Sequence, residues 1–176
     1  AVAALQLALV AGFTLILLTL DPSLLVHPLG LLTKNIPLLV ALVLAARVEG
    51  RAWTPGERAF LRRGMAVIWI TEGLFPKLLF LSAWEVAFAA KLGLPAYFIG
   101  VLGVVQLLSG VAVMLLKPGA LLRALLTAQL AALLLLPLMV GIIEPRWWVH
   151  PFGPLIKNIP LLVGTMIVRR QCHPTS

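Results

Sequence analysis

The sequence predicts an all-α protein, a polytopic membrane helix bundle of six spans. Three observations carry that expectation. Of 176 residues, 61% are hydrophobic and 11% charged, with a mean hydropathy of +1.07. Soluble domains run at about 45–50% apolar and about 25% charged, so a soluble globular enzyme and a disordered chain are both excluded. Six apolar stretches follow one another, each bounded by Pro, Gly or charge, and basic residues cluster in alternate connections. A span takes about 20 residues, which leaves no room in these residues for a separate soluble domain. The single cysteine, Cys172, excludes a disulfide framework, a Cys-rich zinc site and an iron–sulfur cluster.

The first stretch, Ala1–Leu20, lacks a basic leading segment and a small-residue cleavage site, and is expected to be retained as a span rather than removed as a signal peptide. The second, Leu31–Ala46, is short; it gains length from the loop before it or meets a thinned bilayer. Thr54-Pro55-Gly56-Glu57 is a capping box with Pro at the first helical position, so the third helix starts in water and enters the membrane past Arg62 and Arg63 as Gly64–Leu81. Ser82-Ala83-Trp84-Glu85 reads as a second capping box. It opens an amphipathic segment ending near Lys91-Leu92-Gly93, with Trp84 at the interface. Leu94–Leu116 and Leu121–Ile143 are joined by the tight turn Lys117-Pro118-Gly119, and the short stretch Pro154–Val168 closes the series.

Orientation follows from charge. One set of connections and the C-terminal tail hold Arg47, Arg51, Arg58, Arg62, Arg63, Lys117, Arg123, Arg169 and Arg170; the opposite connections hold Lys91 and Arg146. The Arg-rich side is expected to be cytoplasmic, making the chain a multi-pass protein of the inner (plasma) membrane with both termini in the cytoplasm. The net charge of +8 is thus an orientation signal and not a nucleic-acid footprint.

An internal repeat is legible. Ala1–Arg47 aligns with Ala124–Arg170 without a gap: Gln6 falls on Gln129, Asp21-Pro22 on Glu144-Pro145, and Val26-His27-Pro28 on Val149-His150-Pro151. Gly30 meets Gly153, and Lys34-Asn35-Ile36-Pro37-Leu38-Leu39-Val40 meets Lys157-Asn158-Ile159-Pro160-Leu161-Leu162-Val163. Four crossings separate the copies, which makes this a parallel repeat with both His-Pro segments on the extracytoplasmic side. The expected division is a hairpin over residues 1–50 repeating 124–170, a four-helix core over 51–170, and a cytoplasmic tail over 171–176.

The segment Trp69-Ile70-Thr71-Glu72-Gly73-Leu74-Phe75-Pro76-Lys77, followed by His150-Pro151-Phe152-Gly153-Pro154 and Lys157-Asn158, resembles the DoxX-like membrane proteins from about Arg58 to Arg170. The hairpin Ala1–Arg47 departs from the basic pattern as an added copy of its second half. The resemblance implies a four-helix membrane core. The founding member belongs to a thiosulfate:quinone oxidoreductase, and relatives are accessory membrane subunits or uncharacterised.

Glu72 is the most unexpected residue, about 13 Å past Arg63 along the helix and hence near mid-membrane. A carboxylate there costs about 2.5–3.5 kcal/mol, and Pro76 removes the amide that would bond its carbonyl, leaving a kink with a free carbonyl beside an acid. Two readings stand for Glu72: a protonatable or ligand-binding group, or a structural ion pair with a lysine. Lys34 and Lys157 open helices where a cation opposes the helix dipole. With Asn35, Asn158 and Lys77 they are candidates for an anion or polar-headgroup site, against snorkelling to lipid headgroups. His27 and His150 are candidate proton carriers or metal or haem ligands, against a role in closing the loop by bonding a helix start. No third ligand accompanies them, so no metal site is assigned; His173 is uninformative. Asn35 and Asn158 also suit backbone groups left by Pro37 and Pro160, and Gln6, Gln106 and Gln129 suit interhelical hydrogen bonds.

Three functions follow from these residues and the resemblance. The first is a redox accessory subunit with an extracytoplasmic-side site for a quinone or small anion, in which Glu72, His27 and His150 act on protons and Lys34, Asn35, Lys77, Lys157 and Asn158 bind. Quinone is then the candidate cofactor, and electrons come from a redox partner protein. The second is a non-catalytic membrane scaffold or assembly factor, and the third a small-solute carrier. The lipid bilayer is the expected partner, with oligomerisation open and nucleic acid excluded.

Overall fold

A computed structural model describes residues 2–27, 29–30, 32–48, 50–150, 153 and 155–172. Pro28, Pro151 and Pro154 of the repeated motif, and tail residues 173–176 with His173, lie outside the described residues. In chain order the α-helices are α1 (Val2–Leu20), α2 (Asn35–Val48), α3 (Pro55–Leu74), α4 (Ala83–Lys91), α5 (Tyr97–Leu115), α6 (Ala120–Ile143) and α7 (Asn158–Arg170). The described residues contain no strand.

Helices α1, α5 and α6 are long and apolar enough to cross a membrane, with 19, 19 and 24 residues. Pro55–Leu79 and Ala83–Lys91 form one further crossing at most, bent through 90°. With 14 and 13 residues, α2 and α7 rise only about 20 Å, short of the ~30 Å hydrocarbon core. The six apolar stretches therefore appear as three full-length helices, one bent element and two short helices.

The start of α3 follows its cap chemistry. Thr54 Oγ1 accepts from the Glu57 amide while the Glu57 carboxylate accepts from the Thr54 amide, with Pro55 at the first position. α3 is the centre of the bundle. It packs most extensively on α5 and also meets α2 and α7, while α1 lies on α2, and α6 on α7 and α5. Small residues allow the α3–α5 approach: a Cβ on Gly73 would stand 2.6 Å from both the Gly103 carbonyl oxygen and the Leu107 amide nitrogen. Around α3 the buried side chains Leu61, Met65, Ile68, Leu122, Leu126 and Leu161 form the main core.

The connections α1–α2, α3–α4 and α6–α7 meet at one end of the bundle, where Thr33 reaches Glu72 and where Trp84 and Lys91 reach Glu144. At the other end Arg62 caps α5, donating from Nε to the Val113 carbonyl at 2.5 Å and from its guanidinium to Leu116.

The two look-alike segments carry the same elements. Each long helix is followed by a 3₁₀ turn (Pro22–Val26, Pro145–Trp147), a left-handed glycine (Gly30 φ +63°, Gly153 φ +53°) and a helix opening on asparagine. Their surroundings differ. Gln129 is buried and donates to Ser109 of α5 at 3.3 Å, as expected of an interhelical hydrogen bond. Its counterpart Gln6 is exposed on α1, a helix with no buried residue, so that expectation fails there.

Overpacking typically costs about 1–3 kcal/mol. Gly73→Ala is therefore expected to lower the thermal transition of the detergent-solubilised protein by several degrees. Gly100→Ala, where a Cβ meets nothing within 4 Å, should leave it unchanged.

Candidate ligand-binding site

The site grows from Pro76. Proline has no amide to give the Glu72 carbonyl, yet that oxygen is not free: Lys77 Nζ donates to it at 3.2 Å. The helix widens into a π turn over Phe75–Leu79, closed by the Phe80 amide on the Phe75 carbonyl (2.8 Å) and the Ser82 amide on the Pro76 carbonyl (3.0 Å). The Lys77 side chain is 4% exposed, and its Nζ also pairs with Glu85 Oε1 at 2.8 Å. The expected capping box at Ser82 is only half formed. Ser82 Oγ accepts from the Glu85 amide at 3.4 Å, but the Glu85 carboxylate faces Lys77 while the Ser82 amide is already bonded to Pro76.

The Glu72 carboxylate accepts a hydrogen bond from Thr33 Oγ1, and Gly30 lies so close that a Cβ there would overlap Glu72 Oε1. The charges of Lys34 and Lys77 both act on Glu72, and Lys34 also feels Lys157. Lys34, Glu72 and Lys77 border one cavity, and Lys157, which is not among its lining residues, is near enough for its charge to act on Lys34. The asparagines part company. Asn35 Nδ2 donates to Thr14 Oγ1 of α1 at 2.8 Å, whereas Asn158 is buried with Nδ2 unpartnered among the described residues.

Between α3, α4, α5, α6 and α7 lies a cavity of about 360 Å³. Lys34, Glu72, Lys77 and Asn158 line it, as do Trp69, Glu85 and Gln106; Ile68, Phe88, Leu133, Pro137 and Leu161 make up much of its apolar wall. Four of these lining residues hold buried polar atoms with no hydrogen-bond partner among the described residues: Trp69 Nε1, Asn158 Nδ2, Gln106 Oε1 and Glu85 Oε2. An unsatisfied buried polar group costs about 1–3 kcal/mol. Two donors and two acceptors on residues of the cavity wall are therefore buried and unpaired among the described residues. Trp69 lies one helical turn before Glu72, a spacing that places both on one face. Glu85 was hidden by its plausible role in a cap.

His27 and His150 do not line the cavity. Both pack against Trp147, with ring centroids 5.8 and 4.9 Å from it. His27 Nδ1 accepts from the Leu29 amide at 3.2 Å, the loop-closing arrangement. Burial, then the charges of His150 and Lys34, lower His27 to about 4, so this imidazole is neutral at pH 7. The described residues contain no group of three or more His, Cys, Asp or Glu arranged to hold a metal.

Beside the histidines, Glu144 is a residue whose importance the sequence conceals. Its carboxylate, 8% exposed, accepts from Lys91 Nζ (2.5 Å), Trp147 Nε1 (2.9 Å), Arg146 (2.9 Å) and Trp84 Nε1 (3.2 Å). This locks α4, one wall of the cavity, to the end of α6. The Lys91 hydrogen bond first, then that of Trp147, hold the Glu144 carboxyl down at about 2.

An all-helical bundle whose helices are long and apolar enough to cross a membrane defines a polytopic membrane protein. The DoxX-like family matches residues 66–166, more than half of the chain, and the chain belongs to that family. No curated protein sequence and no solved structure matches it.

Two outcomes are expected. Glu144 titrates near 2 in the folded protein against 4.5 ordinarily, so its contribution to stability is present above about pH 4.5 and is lost as pH falls towards about 2. Thermal transitions measured across that window should fall in the wild type, and part of that fall should be missing in Glu144→Gln. Secondly, Gly30→Ala combines left-handed strain with a clash on Glu72, whereas Gly153→Ala, strained likewise, meets nothing nearer than Ile156 Cβ at 3.9 Å among the described residues. The first substitution should depress the thermal transition several degrees more than the second.

Proposed function

We propose that this protein is an accessory subunit of membrane redox chemistry that binds a quinone-class amphiphile in the α3–α7 cavity. The observation that carries this reading is a largely apolar cavity lined by Trp69, Glu85, Gln106 and Asn158, each with a buried polar atom that has no partner among the described residues. Small-molecule sites are mostly apolar, with a few polar groups that fix orientation. A flat ring with two opposed oxygens suits Trp69 Nε1 and Asn158 Nδ2 as donors, while the apolar wall takes the ring. A bound quinone would supply two-electron, two-proton chemistry, and electrons would come from a redox partner. In this reading Lys34 and Lys77 supply positive charge beside the oxygens. Glu72 balances those lysines and seats Gly30 and Thr33, and His27 and His150 stand outside the cavity near the lock on α4. Lys157 adds charge next to Lys34, and Asn35 ties α2 to α1.

The same reading sets the chain in the inner membrane with six crossings, two of them short. The Arg-rich end faces the cytoplasm with both termini, and residues 1–50 form a hairpin duplicated from 124–170 and added to a core over 51–170. The matched order of turn, left-handed glycine and Asn-initiated helix in both segments supports the duplication. A scaffold role draws support from one observation, the double engagement of Lys77 with Glu72 and Glu85, which makes that lysine a tie between elements.

Native mass spectrometry and solvent extraction of protein purified in mild detergent test the proposal. Close to one equivalent of an isoprenoid quinone per chain is expected, and it should be lost in a Trp69→Phe/Asn158→Leu variant that keeps the wild-type thermal transition. Phospholipid alone would shift the assignment to the scaffold.

A further inference from the structure

The four unpaired atoms are not all of one kind. Trp69 Nε1 and Asn158 Nδ2 donate, Gln106 Oε1 accepts, and Glu85 Oε2 accepts as the second oxygen of a carboxylate paired with Lys77. An oxidised quinone accepts but cannot donate. It would satisfy the two donors and leave both acceptors unpaired inside the protein, one of them an oxygen of a carboxylate. A dihydroxy ring donates as well as accepts at each oxygen and so offers partners of both kinds.

Glu85 shows how such a site is held. It is 91% buried by its 9% exposure, and one oxygen, Oε1, is fixed by Lys77 at 2.8 Å. Lys77 is fixed in turn by the Glu72 carbonyl left open by Pro76. The second oxygen, Oε2, belongs to a residue of the cavity wall and has no partner among the described residues. A buried carboxylate with one oxygen paired to Lys77 and the other unpaired favours a hydrogen-bond donor at the second oxygen. Resting on the quinone-class reading above, we propose that the cavity is built for the reduced, dihydroxy form of its occupant, with Glu85 Oε2 accepting from a ligand hydroxyl. Glu85, absent from the residues that the sequence singles out for chemistry, is then the ligand-binding carboxylate, and Lys77 is its positioning residue. The proposal concerns binding preference and includes no electron-transfer step.

The test is anaerobic equilibrium dialysis of the full chain in detergent, using duroquinone, durohydroquinone and the dimethyl ether of durohydroquinone. A hydrogen bond to a charged group corresponds to about tenfold or more in affinity. Wild-type protein should bind durohydroquinone about tenfold or more tightly than either the quinone or the dimethyl ether, which lacks the donors. Glu85→Gln should weaken durohydroquinone about tenfold and change duroquinone by less than about threefold, whereas Trp69→Phe should weaken both. Equal wild-type affinity for quinone and hydroquinone, or a Glu85→Gln effect on both alike, overturns the inference and leaves the quinone-class reading standing. Binding of none of the three overturns that reading and the inference with it. Should Glu85→Gln not fold, the wild-type order of the three probes decides alone. Displacement of durohydroquinone by monoolein, a glycerol-headed lipid, at similar concentration would show a general hydroxyl site and also overturn the inference.

Discussion

The absence of one amide at Pro76 governs much of this molecule. A helix inside a membrane satisfies its backbone internally, because lipid offers no donor in exchange. Removing the amide that would bond the Glu72 carbonyl leaves a cost that the chain meets with its next residue. Lys77 brings its ammonium back to that carbonyl, the helix widens through Phe75–Leu79, and the chain leaves the turn at 90° as α4. The bend carries Glu85 to Lys77 and makes α4 a wall of the cavity rather than a continuation of the span.

Within lipid the hydrophobic effect does not press helices together, so close packing and polar ties must do so. Both are present on α3. Its outer face against α5 is cut down to glycine, with Gly73 and Gly103 letting backbones touch. Near the bend, Thr33 and Gly30 from the α1–α2 connection sit on the Glu72 carboxylate. One helix therefore carries a dry, small-residue seam and, close by, a charged knot that recruits a loop from elsewhere in the chain. Glu144 performs the corresponding task at the far edge of α4, with indoles and cations sharing a single carboxylate.

Local chemistry was legible in the sequence, and tertiary partnership was not. The Thr54 cap is complete as read, because all of its atoms lie within four consecutive residues. Glu72 and its lysines were legible because charge in an apolar stretch is conspicuous whatever the fold. Glu85 was misassigned because Ser-x-x-Glu has an adequate local explanation; only the bend places Lys77 within reach and frees the carboxylate from the cap. Trp69 and Gln106 looked ordinary, since a buried indole or amide becomes informative only when its hydrogen-bond partner is missing. The equivalence of Gln6 and Gln129 failed for a related reason: identical sequence says nothing about whether a neighbouring helix is there to receive the amide.

Gly30 and Gly153 occupy the same place in two similar stretches of sequence, yet a Cβ on one would overlap a carboxylate and a Cβ on the other would make only an ordinary contact with Ile156 among the described residues. The asparagines that follow divide likewise, Asn35 being bonded to α1 and Asn158 bordering the cavity. Mutational drift should therefore be uneven along the chain. Over time Gly30 and Asn35 of the first stretch are held by the carboxylate and the helix that they touch, and Asn158 of the second by its place on the cavity wall. The two could not be exchanged for one another, and a tree built from either stretch alone would record a different history of selection.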